Sequence, residues 1–284
     1  MLGFLFFTAV PMAVSLGMSF TKWDILGSPS WIGTANYQKL WADLFDDQGI
    51  HFWQSLKVTT FYTLLEVPLR VALNVAVAVL LNERLKGIAL YRTLLYSPSV
   101  IPVVATAQMW VWILYPDGGL ASLLLNMLGL PNQNWLVDER TALLTVVGMG
   151  LWGFGNGMLI CLAGLQSIPE HLYEAAQIDG ANWWHRFRHV TVPMLSPVIF
   201  FVFVTSMMGS FQVFDVGYLI TQGGPNYATH FYVLNLYNYG WRYFQMGLAA
   251  AMAWVLFVII MLFTLASLRG SAAWVYYEGE VRRG

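Results

Sequence analysis

Residues 173–197 read "YEAAQIDGANWWHRFRHVTVPMLSP", and they lie between two long apolar runs that they do not resemble. Two acids, two arginines, two histidines, two tryptophans and two prolines fall within these 25 residues. Just upstream, "EHLYEAAQI" (170–178) is rich in good helix formers, and Leu172, Ala175, Ala176 and Ile178 give it an apolar stripe. Pro169 suits a first helical turn, with Glu170 and Glu174 toward the positive N-terminal end. Asp179-Gly180 predicts the end of that helix, since glycine adopts the left-handed conformation at low cost. "WWHRFRH" (183–189) reads as a second helix along a membrane interface, and Pro193 and Pro197 mark entry into the next apolar run. The segment is thus a compact polar module: a surface anchor, or a short helix offered to a partner.

Outward from it, the chain turns apolar. Of its 284 residues 58% are hydrophobic and only 10% charged, with a mean hydropathy of +0.59. A soluble domain carries about a quarter charged residues, so most of this chain is solvated by lipid and protein. Six stretches are long enough to cross a bilayer core: Leu2 to Phe20, Ser55 to Leu81, Leu94 to Tyr115, Ala142 to Leu165, Met194 to Val216 and Met246 to Leu268. The expected fold is an all-α integral membrane protein of six transmembrane helices, with residues 1–284 as one domain. The first stretch lacks the basic flank and small-residue cleavage site of a secretory signal. It begins abruptly at Met1, so either the start lies upstream or this helix is short.

Basic residues set the expected orientation. One set of loops holds Lys22, Lys39, Arg140 and Arg242; the other, with the C-terminal tail, holds Arg84, Lys86, Arg92, Arg186, Arg188, Arg269, Arg282 and Arg283. Four against eight predicts both termini in the cytoplasm, with the opening segment in the second cytoplasmic loop. The first cytoplasmic loop, "NERLKGIALYR", reads as a tight connection. Aromatics in the outer loops read as interfacial anchors or as something more specific, with even weight on each.

Polar groups inside the runs must face protein or water. Glu66 and Arg70 stand four apart around Pro68, and a self-neutralising pair is preferred over a pair lining a polar cavity. Gln108, Asn156, Gln212 and Asp215 are the other candidates for a polar pathway. The fourth run contains "GMGLWGFGNG" (148–157), whose glycines suit close helix packing first and a loosened helix second. Several chemistries find no support. No glycine-rich phosphate cradle precedes any of the four lysines, so nucleotide hydrolysis is not expected of this chain. His185 and His189 lack a third ligand at a suitable spacing, so no metal site is expected. Cys161 reads as a small hydrophobe, and a net charge of −1 gives no footprint for nucleic acid.

"EAAQIDGANWWHRFRHVTVPMLSP" closely resembles the EAA loop of membrane permease subunits in binding-protein-dependent ABC importers. Glu174, Ala175, Ala176, Asp179, Gly180, Ala181, Phe187, Pro193 and Pro197 match that pattern in type and spacing. "LITQGGPNYAT", "SFTKWD" and "AGLQSIP" resemble the carbohydrate branch, of the maltose-type first permease. The resemblance implies a type I ABC importer permease fold, a bacterial or archaeal cytoplasmic membrane, and a cytoplasmic coupling loop at 168–193. It also implies partners: a second permease subunit, an ATPase dimer that binds ATP and Mg, an external binding protein, and a sugar. No cofactor would belong to this subunit. Glu66 and Arg70 depart from the pattern, where uncharged residues are expected. Two alternatives stay open: a permease branch for amino acids, phosphate or polyamines, and a stand-alone secondary carrier or channel.

Overall fold

A bilayer offers no partner to a backbone N–H or C=O, so an apolar run must bond within itself, which a helix does. The computed structural model describes residues 2–43, 49, 51–83 and 86–276. Three of its helices are long and apolar enough to cross a membrane alone: Phe52–Asn82, Trp183–Phe211 and Met246–Ser271. Two further apolar segments are bent, Ile88–Val100 with Val103–Ile113 by 97° and Glu139–Leu151 with Gly155–Gln166 by 47°. A shorter apolar helix covers Leu5–Ser19. Helix makes up most of each of the six expected runs, but among the described residues only three are single helices of spanning length.

The differences have local causes. The expected span at Leu94 to Tyr115 is two helices nearly at right angles, because Pro98 and Pro102 each remove a backbone donor. Ile101, just before Pro102, is extended (φ −68°, ψ 132°), as its clash with the proline ring requires. The "tight connection" before it is partly helix: Gly87, at φ +77°, opens Ile88–Tyr96. The interfacial helix expected at Trp183 is instead the first part of Trp183–Phe211. Continuity across Pro193 coincides with a wide turn at Phe187–Thr191, where the Val192 N–H reaches back to the Phe187 carbonyl. That helix stops at Phe211 rather than Val216, since hydropathy counts apolar residues and not backbone bonds. One departure from an all-helical chain is a two-stranded antiparallel ribbon, Thr21–Lys22 with Ser30–Trp31. The Asp24 carboxylate accepts from the Gly27 N–H at 3.0 Å and fixes its turn.

The chain divides into two compact units. The first comprises Met1–Tyr62, Ala107–Leu144 and Phe211–Phe263. Here the segment around Tyr232 docks on the start of the Phe52–Asn82 helix: the Tyr232 N–H donates to Thr59 Oγ1 at 2.8 Å, and Asn235 Nδ2 donates to Ser55 Oγ at 3.2 Å. The Tyr232 hydroxyl reaches the Met252 carbonyl at 2.8 Å. Phe231 and Tyr232 are fully buried, so these two aromatics are core and not interfacial anchors. The second unit comprises Thr63–Thr106, Thr145–Ser210 and Thr264–Gly284. Its core interdigitates Val75, Ala78 and Leu81 with Met158, Cys161, Leu162 and Leu165, and with Leu195 and Val202. Gly164 lets Leu195 and Val198 come close, where a Cβ would meet their methyls at 2.8 Å.

Candidate functional site

The opening segment folds into a short helix and a sharp return. Glu170–Ile178 starts after Pro169, which sits at the extended N-cap (ψ 130°) rather than inside the first turn. Its other end carries both bonds of a Schellman closure. The Ala181 N–H reaches the Ala176 carbonyl at 2.9 Å, and the Gly180 N–H reaches Gln177 at 3.0 Å. Gly180 stands at φ +79°, the left-handed conformation that the sequence called for. Asn182 then caps the next helix, its Oδ1 accepting from the His185 N–H at 2.9 Å. The His185 and His189 rings stack on each other, 5.7 Å apart.

The expected apolar stripe divides in two. Leu172, Tyr173 and Ala176 turn inward, and the Tyr173 hydroxyl lies 3.1 Å from Thr191 Oγ1. Ala175 and Ile178 point outward beside Glu174 and Asp179, and Ile178 is 86% exposed. Ala181 and Pro193 are half-buried. Phe187, also half-buried, stacks on Trp183 at 5.6 Å and packs against the second unit's core. This side therefore offers a rigid, two-turn helix with one bare isoleucine and carboxylates around it. An apolar group that exposed on a short helix with a closed C-terminal end is suited to insertion into another surface. The Tyr173–Thr191 contact fixes the helix to its base, and nothing in the residue types marked that pair.

A second constellation lies within the same unit. Glu66 is fully buried and pairs with Arg70 through Nε and Oε1, while Arg70 remains 28% exposed. The pair does not close on itself. Ser210 Oγ donates to the other Glu66 oxygen at 2.5 Å, and Arg70 Nη2 donates to the Gly150 carbonyl at 2.8 Å. Three apolar segments are thereby joined through one carboxylate and one guanidinium. One turn further on, Asn74 is buried with its Oδ1 unpartnered, and Gly157 packs so closely that a Cβ there would collide with the Asn74 amide. Sequence spacing found Glu66 and Arg70; Ser210 and the Gly150 carbonyl gave no signal, since a serine and a glycine in an apolar run have many uses.

The remaining pathway candidates occupy exposed positions. Asn156 is exposed at the start of Gly155–Gln166. Gln108, on Val103–Ile113, belongs to the first unit and is exposed. Gln212 and Asp215, also exposed in that unit, lie just past the end of the Trp183–Phe211 helix. Also in the first unit, the rings of His51 and Tyr227 lie 3.9 Å apart at a tilt of 31°, with His230 edge-on to Tyr227 at 5.4 Å. Burial holds His230 below its ordinary value; a bond to Asn235 raises it and the neighbouring His51 lowers it further.

Comparison with known proteins places these features. Residues 70–270 match the family model described as "Binding-protein-dependent transport system inner membrane component". The chain is 44% identical over 283 residues to the probable ABC transporter permease protein YesP of Bacillus subtilis, covering 98% of this chain and 90% of that protein. It is 34% identical over 239 residues to the trehalose/maltose transport system permease protein MalF of Thermococcus litoralis, covering 84% and 79%. Among solved structures, a chain of a bacterial ABC transporter for import of the acidic polysaccharide alginate superposes with a TM-score of 0.78. That match has 23% identity and covers 96% of this chain and 92% of the other.

Proposed function

This chain belongs to the family of binding-protein-dependent transport system inner membrane components, and we propose that it is the pore-forming permease subunit of an ATP-driven importer for a sugar. Members of this family are membrane transport components, so the chain itself performs no catalysis. The relatives named for a substrate carry the choice of cargo: trehalose and maltose in one, arabinooligosaccharides in a second and lactose in a third. The alginate importer supports the fold alone, as a type I permease.

In this reading the Glu170–Ile178 helix docks on an ATPase subunit, and Ile178 enters that subunit's surface. Glu174, Ala175, Ala176, Asp179, Gly180, Ala181, Phe187 and Pro193 form and hold the docking element. ATP and Mg bind the ATPase dimer, a second permease completes the pore, and an external binding protein delivers the sugar. Closure of the ATPase pair moves the docked helix, which passes the motion through Tyr173–Thr191 into the Trp183–Phe211 helix. Six spans with both ends in the cytoplasm place the docking helix on the ATPase side. The observation that carries the proposal is the capped, outward-facing helix at 170–178, inside the region that matches the family.

The test is reconstitution. The chain, co-expressed with its second permease and ATPase, is placed in vesicles and supplied with the binding protein. Uptake of one sugar from a panel should require ATP, ATPase and binding protein together. Uptake without the ATPase, or an assembled complex that moves amino acids and no sugar, would overturn it.

A further inference from the structure

The break in the fourth apolar segment and the Glu66–Arg70 pair are one arrangement. Glu139–Leu151 and Gly155–Gln166 meet at 47° across Trp152–Phe154. In an unbroken helix the Gly150 carbonyl would take the Phe154 N–H, and the Gly153 carbonyl would take the Gly157 N–H. Here Gly150 accepts a long turn bond from the Gly153 N–H, 3.4 Å, and a shorter one from Arg70 Nη2, 2.8 Å. Ser99 Oγ reaches the Gly153 carbonyl at 3.4 Å. Side chains of neighbouring segments thus stand where helical donors would be. A buried carbonyl without a donor is costly, so a break at this depth persists only if such stand-ins exist.

The stand-in is itself held. Glu66 takes Arg70 Nε on one oxygen and Ser210 on the other, which aims the guanidinium at Gly150. Arginine suits this role because its planar fork holds Nε toward the carboxylate and Nη2 toward the carbonyl in fixed directions, whereas lysine donates from one nitrogen with no fixed fork. From these contacts we infer that Arg70 is a positioning residue of the transport cycle. It exchanges with the Phe154 N–H at the Gly150 carbonyl, so the fourth segment bends and straightens at Trp152–Phe154 without losing a bond. The bent form is the one described above; in the straight form Arg70 keeps Glu66 and releases Gly150. Gly148 and Gly153 have open space beside them, whereas Gly155 and Gly157 let Tyr96, Ser99 and Asn74 pack closely against the far side of the pivot. The inference rests on the importer reading for its cycle, and on the contacts alone for its pivot.

The assembled importer in lipid nanodiscs tests it, with Arg70→Lys and Phe154→Pro. Arg70→Lys keeps the charge opposite Glu66 but replaces two donor nitrogens, Nε and Nη2, by one, so the carboxylate and the Gly150 carbonyl compete for it. It should assemble at parent abundance and show about ten-fold lower stimulation of ATP hydrolysis by loaded binding protein, the loss of one charge-assisted bond. Phe154→Pro keeps the bent form's φ, already −70°, and removes the N–H that the straight form needs. It should assemble, bind nucleotide and fail to transport. Phe154→Ala, which loses the same core-packed ring and keeps the N–H, is its control and should transport. Amide exchange over 150–157, with and without ATP, reads the pivot independently of cargo: the parent should change with nucleotide and Phe154→Pro should not. If the parent complex transports no sugar yet shows that nucleotide-dependent exchange, the cargo reading fails and the pivot stands. Arg70→Lys equal to the parent in stimulation overturns the inference, and so does Arg70→Lys that fails to assemble, which would make Arg70 a structural pin. Exchange that ignores nucleotide in the parent overturns it as well.

Discussion

Replacing Gly180 separates backbone from contact at the docking helix. An ideal Cβ on Gly180 meets nothing within 4 Å, and the residue stands at φ +79°. The penalty of any side chain there is therefore conformational within this chain, and not a clash. For alanine it is about 1–2 kcal/mol, and for valine more, because branching at Cβ crowds the same conformation. That energy opposes the two Schellman bonds, to Ala176 and Gln177, that close the helix. The capped end should be depleted by about five- to thirty-fold for Gly180→Ala. Asparagine tolerates the left-handed region, so Gly180→Asn should fall between Gly and Ala. The assay is the ATPase retained on the affinity-purified permease, normalised to permease in the membrane, followed by stimulation of ATP hydrolysis by loaded binding protein. Membrane abundance should not change across the series, while retention falls in the order Gly, Asn, Ala, Val. Asparagine is larger than alanine, so crowding by the partner would reverse the middle two. A reversed order refutes the backbone reasoning, and Gly180→Val with undiminished transport refutes the docking role itself.

Glu66→Gln and Arg70→Gln should each reduce the assembled permease more than the double change does, since removing one partner strands a charge. The cost of each is about 3 kcal/mol, at the low end for a buried pair because Arg70 keeps some solvent contact; additive losses in a detergent melt would mean the two do not support each other. Acidification should loosen the segment around His230. The His230 value is lowered in the folded chain, so its contribution is fully present above the ordinary 6.5 and is lost as pH falls below it. Exchange at the Tyr232 amide should accelerate below about pH 6.5, and His230→Gln should flatten the dependence; identical profiles would clear His230 of the role. Cysteine labelling should report Asn132 and Tyr227 outside and Lys86 and Trp183 inside, and the opposite pattern would overturn the six-span topology.

What the sequence made legible follows from where its signals are local. The cap at Asp179-Gly180 was readable because a left-handed residue at a helix end is a property of a few consecutive positions, and glycine is the one residue suited to it. The apolar runs were readable because lipid imposes one solution, a helix, on any run of that length. The bends were not, for hydropathy cannot tell an intact ladder from one whose broken rungs are mended by side chains elsewhere. Pro98 and Pro102 did announce the 97° turn and were absorbed into an apolar count, whereas Trp152–Phe154 gave only glycines. Glu66 and Arg70 show the same boundary between local and distant information. Their spacing of four residues predicts that they meet, and they do. It carries no word of Ser210, 144 positions away, or of the Gly150 carbonyl, 80 positions away, which turn a neutral pair into a join among three segments. A pair that needed only to cancel its own charge would gain little over two leucines. Two partners so far along the chain make the charges a device for holding a break, which supplies a physical reason for Glu66 and Arg70 to stand where the family pattern expects uncharged residues.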